Sequence, residues 1–189
     1  MTRKVQKEIR RTDILYKGLE LFVTKGYKAT KVTDIAISLN MSVGLFFHYF
    51  KSKEELYYEL VKLGLEGTNK PIKKESSKPI DYFISFVDDI FKAIDGNINI
   101  ARMFVLMPEA QKEGTPEKVK ELANKINIID SFVPIIKLGQ KDGSIKEGDP
   151  LVLSNAFFRS VYAVCEGYAI NPKIDLPNTN CMIDIIRRY

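Results

Sequence analysis

From Val5 to about Lys25 the apolar residues Ile9, Leu15, Leu19, Phe22 and Val23 recur every three or four positions, the period of a helix that buries one face. Gly26 after Lys25 closes that helix, because glycine accepts a left-handed backbone and lysine complements the C-terminal dipole. A second, short helix opens at Thr30 or Lys31, with Val32, Ile35, Ala36 and Leu39 on one face and Thr30 as candidate N-cap. Asn40-Met41-Ser42 breaks the pattern, and a third short helix runs from about Val43 to Tyr49. Ser52, with Glu55 three residues later, reads as a capping box ahead of Leu56, Leu60 and Leu63. This fourth helix, from about Lys53, ends near Gly67, where Gly64, Gly67, Asn69 and Pro71 accumulate, and Lys73 to Pro79 reads as a polar connector.

Beyond the connector, helical spacing predicts helices over about 79–95, 98–112, 116–140, 149–170 and 178–188, and no run alternates as a strand would. Pro108 and Pro134 should kink or interrupt their helices, and Asp142-Gly143 and Gly148-Asp149-Pro150 mark a loop. The predicted fold class is all-α. Two helical domains are expected, a three-helix one at residues 1–63 and a larger one at 64–189, with the boundary between 64 and 79.

Charge sharpens this division. The net charge of the 189 residues is +5, and residues 1–63 carry 12 Lys and Arg against 7 Asp and Glu while the rest carry 17 against 17. Arg3, Lys4, Lys7, Arg10 and Arg11 against Glu8 make a basic N-terminal end, which suits phosphates and is also what a solvated tail would show. Cys165 and Cys181 are too few for a disulfide framework and fit a reducing cytoplasm. No apolar core of a signal peptide follows the charged start and no stretch is long enough to span a membrane, so the chain reads as unexported and without a membrane partner.

Two short helices joined by a tight turn, between a basic helix and a capped one, form a helix-turn-helix whose second member enters the major groove. The stretch Gly26-Tyr27, Thr30, Asp34-Ile35-Ala36 and then Met41 to Leu56 (MSVGLFFHYFKSKEEL) resembles the tetracycline-repressor family over about residues 9–60. That resemblance implies an all-helical homodimer that binds double-stranded operator DNA through its first three helices and a small-molecule effector through the rest, with repression as the family's habit. It implies DNA contacts from Thr33 at the start of the second helix and from Ser42, Val43, Gly44 and Leu45, which open the third. Small residues there allow close approach and apolar ones can meet a thymine methyl.

Phe47 stands where the family most often has tyrosine and Leu45 where threonine is frequent, so two hydroxyls are missing; His48 or Tyr49 could donate to a phosphate instead. Lys53 matches a common phosphate contact at the start of the fourth helix, where exposed amides add to its charge. Phe46 and Phe50 complete an apolar face with Ile35 and Leu39 and belong to the core, whereas Phe47 fits packing or DNA equally.

The later helices are rich in bulky apolar residues, among which Phe86, Phe104, Met107 and Tyr162 are candidate linings of an effector pocket, with core packing as the other reading of each. Asn99, Arg102, Arg159 and Glu166 lie on mostly apolar helices, so each is either exposed or matched by a partner. The last two helices, with Ala156, Ala163 and Gly167, take the place of the dimer interface that the resemblance implies. An enzyme is not expected. There is no phosphate-binding glycine loop, nucleophile elbow or His/Cys cluster with metal spacing, and the single histidine, His48, reads as a polar contact; no cofactor or metal is predicted.

Overall fold

A computed structural model describes residues 2–68 and 78–189. The connector expected at Lys73 to Pro79 and the Asn69 and Pro71 signals fall mostly outside these residues. The elements are α1 (Arg3–Lys25), α2 (Val32–Ser38), α3 (Val43–Tyr49), α4 (Lys53–Thr68), α5 (Pro79–Gly96), α6 (Ile98–Glu109), α7 (Glu117–Ala123), α8 (Ile128–Asp142), α9 (Pro150–Ile170) and α10 (Thr179–Ile183). The fold is all-α. Among the described residues the single pairing of extended backbone is an isolated antiparallel bridge between Ile145 and Arg187.

Compactness does not follow chain order. Among the described residues, one unit gathers residues 2–68 with Arg102–Lys125, the other residues 78–101 with Ile126–Tyr189. In the first, Ile14, Leu15, Leu19 and Phe22 of α1 meet Ile35 and Ala36 of α2, Phe46 of α3 and Leu56, Leu60 and Val61 of α4 in one buried core. Gly18 lets α1 and α4 approach, since a β-carbon there would lie 2.6 Å from a methyl of Leu56. The later part of α6 belongs to this unit too: Arg102 pairs with Glu20 of α1 at 3.2 Å, and a β-carbon on Gly64 of α4 would stand 2.5 Å from the sulfur of Met107. The second unit centres on an aromatic cluster in which Phe83 lies 5.4 Å from Phe132 and 4.9 Å from Phe157.

Three expectations are corrected. The helix expected over 116–140 is two helices, because Asn124 closes α7 and the Asn127 side chain accepts from the Asp130 N–H at 3.3 Å to open α8. Pro134 does not break α8. The carbonyl it leaves unbonded belongs to exposed Asp130, where solvent can reach it. The last helix stops at Ile183 rather than 188: Ile186 is fully buried, and its carbonyl accepts from the Lys146 N–H at 2.9 Å, which draws the chain out of the helix.

The N-terminal unit places two neighbouring phenylalanines oppositely: Phe46 is fully buried and Phe47 is 49% exposed. Phe46→Ala should therefore lower stability by about 3–5 kcal/mol, and Phe47→Ala should change it by no more than about 0.5 kcal/mol. Urea unfolding followed by circular dichroism measures both; equal losses would contradict the orientation of α3.

Candidate nucleic-acid interface

The interface begins at the α1–α2 turn. Gly26 takes φ +82° and its N–H bonds to the Phe22 carbonyl, ending α1 as the sequence indicated. Thr30 is not the N-cap of α2. It is fully buried, and its hydroxyl donates to the Gly26 carbonyl at 2.8 Å with the Leu21 carbonyl 3.1 Å away. Lys31 takes the N-cap position, and the Asp34 carboxylate accepts from its backbone N–H at 3.2 Å. A buried hydroxyl that can close onto two carbonyls is worth more inside the turn than at an exposed helix end.

Lys53 locks the same turn from α4. Its ammonium donates to the carbonyls of Tyr27 at 2.7 Å and Thr30 at 2.8 Å and lies 4.1 Å from the centre of the Tyr27 ring. Burial lowers its pKa below the ordinary lysine value. Two of its three donors are thus engaged within the protein, a role that spacing did not reveal. Tyr27 in turn stacks on Tyr57 at 4.8 Å, and burial, followed by the charge of Glu109, raises the Tyr57 phenol above its usual range.

From this fixed turn, α2 and α3 present a defined outer face. Asn40 supplies the left-handed residue of the connection, φ 50°, and the Ser42 hydroxyl caps α3 by accepting from the Leu45 N–H at 3.1 Å. Ser52 caps α4 by accepting from the Glu55 N–H at 3.0 Å, while the Glu55 carboxylate reaches back to the Lys51 N–H. Phe46 and Phe50 point inward, and the Arg11 guanidinium covers the Phe50 ring at 4.9 Å while pairing with Glu59 at 3.2 Å.

With those two rings buried, Thr33, Ser42, Val43, Gly44, Leu45, Phe47 and His48 are all exposed, and Tyr49 is half-buried. Phe47, left open between packing and DNA, touches Phe46 edge-on at 5.5 Å yet keeps half its surface in solvent. Sequence reasoning missed Ile37, which is 74% exposed one turn after Thr33 on the same side of α2. Its signal was an isoleucine one position out of phase with the buried pair Ile35 and Ala36.

Gly44 has a particular standing on this face. A β-carbon there would meet only the Ser42 hydroxyl oxygen, at 3.9 Å, so nothing in the protein's own packing requires glycine. A seven-residue helix holding glycine forgoes up to about 1 kcal/mol relative to alanine. The open space is available to a partner that approaches the backbone closely.

Of the effector candidates, Phe86 and Tyr162 lie in the second compact unit and Phe104 and Met107 in the first. Phe86 packs on Phe132 at 5.1 Å, and Tyr162 is buried with its ring 6.4 Å from Phe158. Among the polar residues, Arg102 is matched by Glu20, whereas Arg159 and Glu166 are exposed, Arg159 bonding Asn155 at 3.3 Å. No helix among the described residues is long and apolar enough to cross a membrane.

A capped helix-turn-helix with its second helix anchored inward and bare outward defines a DNA-binding module. Residues 14–60 match the family model for bacterial regulatory proteins, tetR family. The chain is 28% identical over 159 residues to the transcriptional repressor KstR2 of Mycolicibacterium smegmatis, covering 82% of this chain and 76% of that one. It is 26% identical over 148 residues to the fatty acid metabolism regulator protein of Bacillus subtilis, covering 76% and 74%. Two solved structures share its fold: KstR2 of Mycobacterium tuberculosis, TM-score 0.71 at 19% identity over 95% of this chain and 96% of that one, and the MbdR regulator of Azoarcus sp. CIB, TM-score 0.75 at 18% identity over 92% and 95%. Residues 14–60 thus form a tetR-family DNA-binding domain, and the relatives that match most of the chain support a DNA-binding transcriptional regulator rather than an enzyme.

Gly44→Ala separates folding from binding. It should hold or raise stability, by up to about 1 kcal/mol, while weakening specific DNA binding at least several-fold, read by denaturant unfolding and by fluorescence anisotropy on a bound duplex. Undiminished DNA affinity would remove Gly44 from the interface.

Proposed function

We propose that the protein is a homodimeric, cytoplasmic repressor that holds a pseudo-palindromic operator through the outer faces of α2 and α3 and releases it when a small molecule binds its later helices. The observation that carries this reading is the outward face of α3, anchored by buried Phe46 and Phe50 and kept bare at Gly44. Val43, Leu45, Phe47 and Ile37 offer apolar contact to thymine methyls, and Thr33, Ser42, His48 and Tyr49 offer hydrogen bonds to phosphates or base edges. Lys53 holds the turn and has one donor left for a phosphate beside the α4 N-terminus.

The resemblance that places the family's dimer contacts on the last helices suits the exposed side of α9. Val152, Ala156, Arg159, Ala163, Glu166 and Ile170 follow one another at three- and four-residue steps on its solvent face, apolar or small at four of six positions. Two-fold pairing there sets half-sites about 34–36 Å apart, one helical turn, or a multiple of it. The effector is an apolar small molecule. Phe86 and Tyr162 are its candidate contacts in the aromatic unit, with Phe104 and Met107 as candidates on α6. The similar proteins named a ketosteroid transcriptional regulator and a fatty acid metabolism regulator support ligands of that chemistry. Binding lowers operator affinity by the ratio of the ligand's affinities for the two conformations.

Selection of duplexes from a random DNA pool by the purified protein at near-physiological salt should return a pseudo-palindrome, and exchange of Val43 or Leu45 should change its bases. Salt-sensitive binding with no motif would overturn the operator reading. Ala163→Glu should convert the dimer to monomer in sedimentation velocity and abolish binding to the full palindrome while leaving helix content intact; a dimer that persists would move the interface elsewhere.

A further inference from the structure

The most basic stretch of the chain lies outside the α2–α3 face. Residues 2–10 at the start of α1 are all exposed, so this part of the helix extends past the core that begins at Ile14. Among the described residues Arg3, Lys4, Lys7 and Arg10 take part in no ion pair, unlike Arg11, which is held by Glu59. Arg3, Lys7 and Arg10 follow one another at helical spacing on one side of α1. The first turn of α1 contains no acidic residue. Cations near a helix N-terminus oppose the helix dipole, so this placement works against α1 itself and suits an anion brought from outside.

The stripe has a neighbour. Arg3, Lys4, Lys7 and Arg10 line one open groove, about 830 Å³ in volume, together with His48 and Tyr49, the last two residues of α3. Asp13 is the one acidic residue on its wall. The imidazole of His48 and the phenol of Tyr49 meet edge to face at 5.3 Å, and no hydrogen bond within the described protein engages either. Two polar rings and four cations without an ion-pair partner among the described residues thus converge where α3 ends.

We propose that this groove grips the sugar-phosphate backbone beside the major groove that α3 enters, so that each half-site extends past the bases α3 reads. The inference rests on the reading of α3 as the recognition helix. Duplex DNA is the occupant because the groove is continuous with α3 and its charge complements a line of phosphates; the cations act as point charges with no base to read. The contact lengthens the site and raises salt sensitivity without adding sequence preference.

The test compares the 189-residue protein with the variant R3A/K4A/K7A/R10A on the duplex recovered by selection, with flanks of increasing length. Alanine favours helix and none of the four side chains is buried, so helix content should be unchanged by circular dichroism. The log–log salt slope should fall by about 3–4 per bound subunit, from roughly 0.9 for each lost phosphate contact. Hydroxyl-radical protection of the backbone outside each half-site should disappear, the selected bases should stay the same, and trimming the flanks should weaken the parent protein alone.

An unchanged slope and footprint on a duplex that is still bound specifically would overturn the groove while leaving the operator reading intact. If selection returns no motif, the operator reading fails by itself, and the slope on a random-sequence duplex still decides the groove. Vesicles of anionic phospholipid serve as the rival surface: binding to them that the variant loses, with no change in the DNA slope, would overturn the proposal.

Discussion

Burial of two aromatic rings on a helix of seven residues is the constraint on which the outer face of α3 depends. A helix that short does not persist in water, because the cost of fixing its first turn is not recovered over so few hydrogen bonds. Phe46 and Phe50 supply the missing stability by entering the core that α1, α2 and α4 build. Their inward direction turns the opposite side of the helix outward, so Val43, Gly44, Phe47 and His48 face solvent. The same packing that creates α3 therefore selects which side chains a partner meets.

The turn before α2 carries the second constraint. Thr30 and Lys53 converge on the carbonyls at residues 21, 26, 27 and 30, so the entry to α2 is tied both to α1 and to the first residue of α4. Arg102, Gly64 and Met107 then join the later part of α6 to α1 and α4 in one compact unit.

Much of the N-terminal architecture was legible along the chain. The start and end of α3, the Ser42 and Ser52 caps and the Gly26 stop rest on interactions within four or five residues, and the inward assignment of Phe46 and Phe50 on their four-residue spacing, which the chain displays directly. The departures share a cause. The Thr30 hydroxyl turned back onto the end of α1, to carbonyls four and nine residues earlier, while Lys53 found partners 23 and 26 residues away and Ile186 one forty residues away at Lys146. Exposed Ile37 was hidden because an isoleucine beside Ile35 and Ala36 looks apolar whichever way it points.

The sequence by itself determined the helical class, the helix-turn-helix with its caps and turns, and the concentration of positive charge in the first third, since period, capping and composition are local or additive properties. Tertiary structure alone decided that Lys53 spends its charge chiefly on a turn, that the end of α6 joins the DNA-binding unit, that Gly44 stands before open space, and that the basic start of α1 shares a groove with the end of α3. Those outcomes depend on which distant segments come to occupy the same volume. Periodicity fixes which face of a helix is buried; only packing decides what lies against it.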